Sequence, residues 1–246
     1  MKMNDCEMCR HGYLAVLSHE LRNPLAALSN SLYVLKMIQP GDPRSSRAMA
    51  VMDRQIRQIT SLVDRLTDAA NLDQGKVRLC WSSTNLCEVL YNVGADHEGI
   101  FAGREIQFCT QIPLGPICVS ADTAVLTQIL SNLLQNAAQF TPPGGRVILA
   151  LEYDGEAQRA RIRVQDSGIG LEPGLRDRLF EPFIQADTSL ARTHGGLGLG
   201  LTLVKGFVAL HGGSVRAESK GPGLGSTFIV ELPSTGAAPA ISPLAL

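Results

Sequence analysis

Leu14-Ala-Val-Leu17-Ser18-His19-Glu20-Leu21-Arg22-Asn23-Pro24-Leu25-Ala-Ala-Leu28-Ser-Asn-Ser-Leu32-Tyr-Val-Leu35 is the stretch from which the architecture follows. Its leucines recur at steps of 3, 4, 4, 3, 4 and 3, a near-heptad stripe. Across residues 5–39 only Pro24 interrupts the helical pattern, so the spacing predicts one helix about 50 Å long at 1.5 Å per residue. Gln39-Pro40-Gly41-Asp42-Pro43 then breaks it. A second stripe follows at Met49, Met52, Ile56, Ile59, Val63, Leu66 and Ala70, ending at Asn71-Leu-Asp-Gln-Gly75. Two such helices form an antiparallel hairpin with one apolar seam. A lone hairpin buries that seam poorly, whereas two hairpins bury it as a four-helix bundle, so the pattern predicts a homodimer.

Beyond Gly75 the period changes. Val77–Ser82 reads as a strand, Leu86–Gly99 as a helix, and Glu105–Gln111 and Pro116–Ser120 as strands. Asp122 can cap a helix running to Phe140. Arg146–Tyr153 and Ala160–Gln165 alternate around a turn at Asp154-Gly155. Leu197–His211 is helical by pattern, and Ser214–Ser219 and Ser226–Leu232 read as strands. The fold class expected is α+β: residues 1–76 a helical hairpin, 77–235 an α/β sandwich with helices on one face, and 236–246 a loose tail.

The 246 residues suffice for one large or two modest domains, and 45% hydrophobic content supports a packed core. A net charge of -1 argues against a nucleic-acid face held by bulk basicity. No apolar run approaches the roughly 18 residues that span a bilayer, and no signal peptide opens the chain, so a cytoplasmic location is expected. The six cysteines are too scattered for a secreted disulfide framework and read as reduced thiols. Cys6-x-x-Cys9 is half of a metal motif without its second half.

On the helical wheel His19 lies two residues from both Leu17 and Leu21, so it faces away from the seam, with Asn23 one turn on. Pro24 removes a backbone donor and crowds the carbonyl of Glu20, a distortion that costs about 3 kcal/mol in a helix interior. The helix is therefore expected to loosen beside the histidine. Glu20 is suited to fix the imidazole tautomer and stabilise its developing positive charge. Asn23 is suited to orient a water for removing a phosphoryl group.

Three polar signals follow. Asn132 and Asn136 are one helical turn apart and present both amides on one side. Amide oxygens are hard ligands suited to Mg²⁺. In Asp166-Ser-Gly168-Ile-Gly170 a carboxylate can accept from an exocyclic amine such as adenine's, with glycines that admit the base. Gly195-Gly196-Leu-Gly198-Leu-Gly200 precedes an apolar helix whose free N–H groups suit phosphate.

In this order the segments resemble the catalytic core of a sensor histidine kinase. His19–Pro24 looks like the H box and Asn132–Thr141 the N box. Asp166–Gly170 looks like the G1 box, Phe180–Phe183 the F box, Gly195–Gly200 the G2 box and Gly225–Phe228 the last box. The resemblance implies a dimerisation and phosphotransfer hairpin followed by an ATP-binding domain of the GHKL (Bergerat) type. It implies that His19 takes the γ-phosphoryl group of Mg-ATP, with Glu20 and Asn23 assisting, and passes it to an aspartate of a response regulator receiver domain. It makes Asn136 the Mg²⁺ ligand and Asn132 its neighbour. Asp166 would read adenine with support from Thr227, and Phe140 would flank the base. Residues 181–196 would form a lid with Arg192 as a phosphate contact. Related ATPases place a water-activating Glu at the position of Asn132, so its absence argues against hydrolysis.

Two residues depart from the pattern. Gln139 stands where many relatives have a lysine near the phosphates, and Leu197 stands where a small or hydroxyl residue is common. No sensor or receiver segment reads from these residues, so the chain is expected either to be an excised core or to take its input from another protein, with the acceptor aspartate elsewhere. The alternative these features motivate is a degenerate kinase that serves as a nucleotide-binding regulatory module.

Overall fold

A computed structural model describes residues 4–38, 42–176, 178–184, 197–234 and 236–237, without the side chains of 4–16 and of His19. Helix α1 (Asn4–Met37) runs unbroken through Pro24, which is buried. Helix α2 (Arg44–Asp73) returns beside it and stops where Gln74 and the left-handed Gly75 turn their N–H groups back onto the last carbonyls. The hairpin is the one the two apolar stripes predict, while residues 39–41 of the expected break lie outside the described residues.

The seam is only half covered within the chain. Ala48 and Leu62 are buried, but Leu25, Leu32, Met49, Ile56 and Val63 keep about half of their surface exposed. All five belong to the two stripes identified from sequence.

The second region begins with β1 (Ser82–Asn85), later than expected. Residues 77–81 are not a strand. The Cys80 N–H donates to the Asp122 carboxylate at 2.8 Å, so a side chain takes the place of a strand partner there. Asn85 caps α3 (Leu86–Ala102) by accepting from the Cys87 N–H. Strands β2 (Gln107–Gln111) and β3 (Ile117–Ala121) follow. Asp122 caps α4 (Thr123–Phe140) through the N–H groups of Ala124 and Val125, as its sequence position implies. Then come β4 (Arg146–Asp154), β5 (Arg159–Asp166), a single turn α5 (Pro173–Arg176) and α6 (Gly200–Leu210), and after them β6 (Ser214–Glu218), β7 (Ser226–Pro233) and β8 (Gly236–Ala237).

Five strands pair in the order β2-β4-β5-β7-β6, antiparallel except for the parallel β2–β4 edge, and a small sheet orders as β1-β3-β8. The first two residues of the expected tail are thus a strand: Gly236 and Ala237 pair with Cys118 and Ile117, because β3 offers them a free edge. The rest of that tail, 238–246, lies outside the described residues. Expected helix Leu197–His211 begins only at Gly200, its preceding glycine-rich turn being irregular.

The inward faces of β4, β5 and β7 meet α3, α4 and α6 in one core containing Leu130, Leu133, Leu149, Ile162, Leu203 and Val230, each fully buried. Burying each such side chain contributes about 1.5–3 kcal/mol.

The two regions dock through α2. Gly206 on α6 faces Leu72, so closely that a Cβ there would lie 2.8 Å from Leu72 Cδ1. Leu62 of α2, with Leu197 and Leu199 of the glycine-rich turn, forms a second apolar cluster that Leu17 and Leu21 of α1 also join.

Candidate nucleotide pocket

The pocket opens between α4, the segment after β5 and the start of α6. Helix α4 is held by its Asp122 cap at one end and presents Asn132, Asn136, Gln139 and Phe140 along one side to the opening. This is the helical spacing of 3 and 4 that the sequence showed. Asn136 makes no side-chain hydrogen bond among the described residues and is half-buried, so its amide is available. The amide nitrogen of Asn132 is buried and has no hydrogen-bond partner among the described residues. An orphaned buried donor costs about 1–3 kcal/mol. Its position in the pocket wall is explained if a ligand oxygen satisfies it.

Asp166 sits at the end of β5 on the pocket floor. It accepts the Gly168 N–H at 2.8 Å and the Ser226 N–H at 3.2 Å on one oxygen, and the Ser226 hydroxyl on the other. Burial pushes its carboxyl above the ordinary carboxylate range, against the pull of those three donors. The residue that supports Asp166 is therefore Ser226. The sequence reading gave that role to Thr227. In the β5–β7 ladder Asp166 is opposite Ser226, and side chains alternate along β7, so Ser226 and Phe228 face the pocket and Thr227 does not line it.

The glycines fit backbone to backbone. A Cβ on Gly168 would lie 2.3 Å from the Phe140 carbonyl oxygen, so only glycine lets the turn after β5 close against the end of α4. Gly198 has φ +64 and would bring a Cβ within 2.8 Å of the Ile184 carbonyl oxygen. Gly170 and Gly200 line the opening. Arg192, Gly196 and His194 lie outside the described residues.

On α1, Glu20 is half-buried and Asn23 exposed. The side chain of His19 is outside the described residues, while its backbone lies in α1 between two leucines of the apolar cluster. Leu197 is 1% exposed in that cluster. Its departure from the common small residue thus has a packing reason: the base of the glycine-rich turn sits against the hairpin. His211 is also buried, with Nδ1 2.8 Å from the Phe207 carbonyl oxygen and Nε2 accepting the Asp122 N–H. Both its nitrogens are engaged, so neither is free to attack a phosphoryl group.

Sequence reasoning missed the apolar wall of Ile169, Leu171, Leu175 and Leu179, and it missed Arg65, which reaches the pocket from α2. The wall gave no apolar run, only leucines at steps of 4 among polar and charged residues. Arg65 gave no local signal, since its place depends on how α2 docks. No group of three or more metal-ligating acids, histidines or cysteines occurs among the described residues. Among those residues no helix is long and apolar enough to cross a membrane.

Residues 10–75 match the family described as His Kinase A (phospho-acceptor) domain, and residues 121–236 match that described as Histidine kinase-, DNA gyrase B-, and HSP90-like ATPase. The sensory/regulatory protein RpfC of Xanthomonas campestris pv. campestris is 36% identical over 225 residues, covering 90% of this chain and 31% of that protein. Full-length ShkA, solved in complex with AMPPNP, superposes with a TM-score of 0.69 at 31% identity over 92% of this chain and 46% of that one. ThkA, solved in complex with the response regulator protein TrrA, shares the fold with a TM-score of 0.67 at 22% identity, over 95% of this chain and 64% of that one. The chain spans 15% and 31% of the length of the first two curated relatives it matches.

Proposed function

We infer the function from one premise: this chain belongs to the histidine kinase family. Its α4 pocket binds ATP, and His19 accepts the γ-phosphoryl group and passes it to an aspartate of a response regulator receiver domain. The observation that carries the nucleotide reading is the pairing, in one pocket, of a buried acceptor at Asp166 with an orphaned buried donor at Asn132. Asp166 accepts from the adenine amine, Phe140 flanks the base, and Gly168, Gly170, Gly198 and Gly200 leave room for nucleotide. Gly196 and Arg192 complete the phosphate side, and Thr227 acts only through its neighbour Ser226.

Asn136 holds Mg²⁺, which neutralises phosphate charge and orients the terminal group. The free amide of Asn136 fits a hard cation that keeps most of its waters. Glu20 keeps the His19 imidazole in the tautomer whose free nitrogen attacks, and Asn23 supports the reverse, phosphatase reaction. Residues 1–76 form the dimerisation and phosphotransfer unit, and 77–235 the ATP-binding unit. The half-exposed seam residues Leu25, Leu32, Ile56 and Val63 support a homodimer, with the seam closed in a four-helix bundle. Sensory input comes from a separate segment or protein, and the place of action is the cytoplasm.

The test is incubation with γ-³²P-ATP and Mg²⁺, wild type beside His19→Ala and Asn136→Ala. Acid-labile, base-stable label on wild type alone is the expected result. Label retained by His19→Ala would overturn the assignment. ATP binding without any label would favour a nucleotide-binding regulatory module.

A further inference from the structure

Arg65 is the one cation in the wall of the nucleotide pocket among the described residues, and it comes from the hairpin rather than from the ATP-binding region. It lies three residues beyond Leu62 and one before Leu66, both in the apolar cluster that ties α2 to the glycine-rich turn. That packing fixes which way this stretch of α2 faces. The guanidinium donates to the Gln135 amide oxygen at 2.8 Å. Among the described residues its one hydrogen-bond partner is neutral, and no carboxylate pairs with it. Burial lowers its pKa with no opposing charge to offset the effect, yet a guanidinium remains protonated at any physiological pH. A positive charge withdrawn from water toward a cavity, without a counter-ion, is a favourable site for an anion.

Its place along the pocket identifies which anion. The turn after Asp166 hydrogen-bonds the carbonyl of Phe140, the last residue of α4, about two turns beyond Asn132. Arg65, Asn132 and Gln135 also line a second groove between α2 and α4 that Asp166 does not reach. Arg65 is therefore at the hairpin end, away from the base-reading carboxylate and beside the orphaned Asn132 donor. Gln139, where the sequence lacks an expected lysine, lines the same pocket.

We propose that Arg65 binds the terminal phosphate of ATP, supplying from the phosphotransfer hairpin the positive charge that position 139 lacks. This rests on the nucleotide reading of the pocket. A guanidinium presents two parallel N–H groups to a phosphate, and the γ-phosphate is a stronger acceptor than the Gln135 amide it would displace. The contact also means that a bound triphosphate holds the hairpin against the pocket, whereas a diphosphate leaves Arg65 on Gln135. Gain and loss of the terminal phosphate is thereby felt at α2.

The test is calorimetric titration of ATP and of ADP, each with Mg²⁺, into the full chain and its Arg65→Gln and Arg65→Gln/Gln139→Lys variants. Arg65→Gln is expected to weaken ATP about tenfold or more while ADP changes less than about twofold. Moving the charge to position 139 in the double variant is expected to restore most of the preference for ATP. Equal weakening of ATP and ADP would make Arg65 a structural latch between α2 and α4 and overturn the proposal, as would unchanged ATP affinity. Failure of wild type to bind either nucleotide would overturn the nucleotide reading itself, a different result from bound ADP with no role for Arg65. Thermal melts of the same variants identify any that fails to fold, and Arg65→Lys, which keeps the charge, is then the comparison expected to retain the preference for ATP.

Discussion

The hairpin and the sheet region solve the same burial problem in opposite ways. In the sheet region, large apolar side chains such as Leu133, Ile162 and Leu203 lose nearly all contact with water inside one chain. In the hairpin Pro24, Ala48 and Leu62 are the buried apolar residues among those described, and the heptad residues Leu25, Leu32, Ile56 and Val63 stay about half exposed. The difference teaches that α3 to β8 bury most of their core within one chain, with α2 covering the glycine-rich turn, while α1 and α2 carry a half-exposed apolar surface that a second copy covers in the dimer proposed above. It also separates chemistry: the proposed acceptor His19 is on the hairpin, and the proposed nucleotide pocket is largely on the sheet region.

The largest effect is expected from breaking the core of the sheet region. Leu133→Ala should cost about 2–5 kcal/mol by leaving a cavity in a core that cannot collapse. Leu25→Ala should cost much less in each chain and act instead on association. Chemical denaturation at two protein concentrations distinguishes the two, because only the hairpin contribution depends on concentration.

Next in size is Asp166→Asn, which removes the charged acceptor of the pocket. ATP should bind about 10- to 150-fold more weakly. The fold should not suffer. A carboxyl whose folded pKa is raised contributes stability that is fully present below its unfolded pKa and lost as pH rises through the folded value. At neutral pH the ionised Asp166 is therefore a cost to the fold, which the neutral amide relieves. A melting temperature equal to or above wild type, measured with nucleotide affinity on the same sample, is the expected pair of results.

The same carboxyl predicts a smaller, graded effect. As pH falls through its raised pKa, the free pocket takes up a proton and loses its acceptor, so ATP affinity should decline by up to about tenfold per pH unit. Titrations across mildly acidic pH check this, with Asp166→Asn expected to show a flatter profile. The smallest effect is expected at the contact between the regions. Gly206→Ala forces Leu72 to move by less than an ångström, and should loosen the docking of α2 on α6 by about 1 kcal/mol while sparing both cores. Hydrogen exchange in the last turns of α2 reads that loosening directly.

Much of this was legible in the sequence because its signals are local. The two apolar stripes fixed the hairpin. Asp122 marked a helix start through a side chain that caps its own next turn. Asn132, Asn136, Asp166 and Gly170, all named from the sequence by their chemistry and order, line one pocket. What was missed depends on pairing across the chain. The strand expected at 77–82 has its Cys80 donor taken by Asp122, forty-two residues on. Thr227 was named in place of Ser226 because only the register of β7 on β5 says which of two adjacent hydroxyls meets Asp166. Gly236 and Ala237 pair with β3 although their composition is that of a loose end. Arg65 and Leu197 carry no motif at all, and their meaning arises only where the hairpin meets the glycine-rich turn.

The contrast between the two regions is tested most directly by sedimentation of wild type and Val63→Glu, with ATP affinity measured on both. A charge at a half-exposed seam position should convert a dimer into a monomer while leaving ATP affinity within about twofold, since Val63 is not part of the pocket wall. A wild type that sediments as a monomer at all concentrations, or a Val63→Glu chain that loses its nucleotide, would contradict the division between a hairpin that a second copy covers and a sheet region that buries most of its core within one chain.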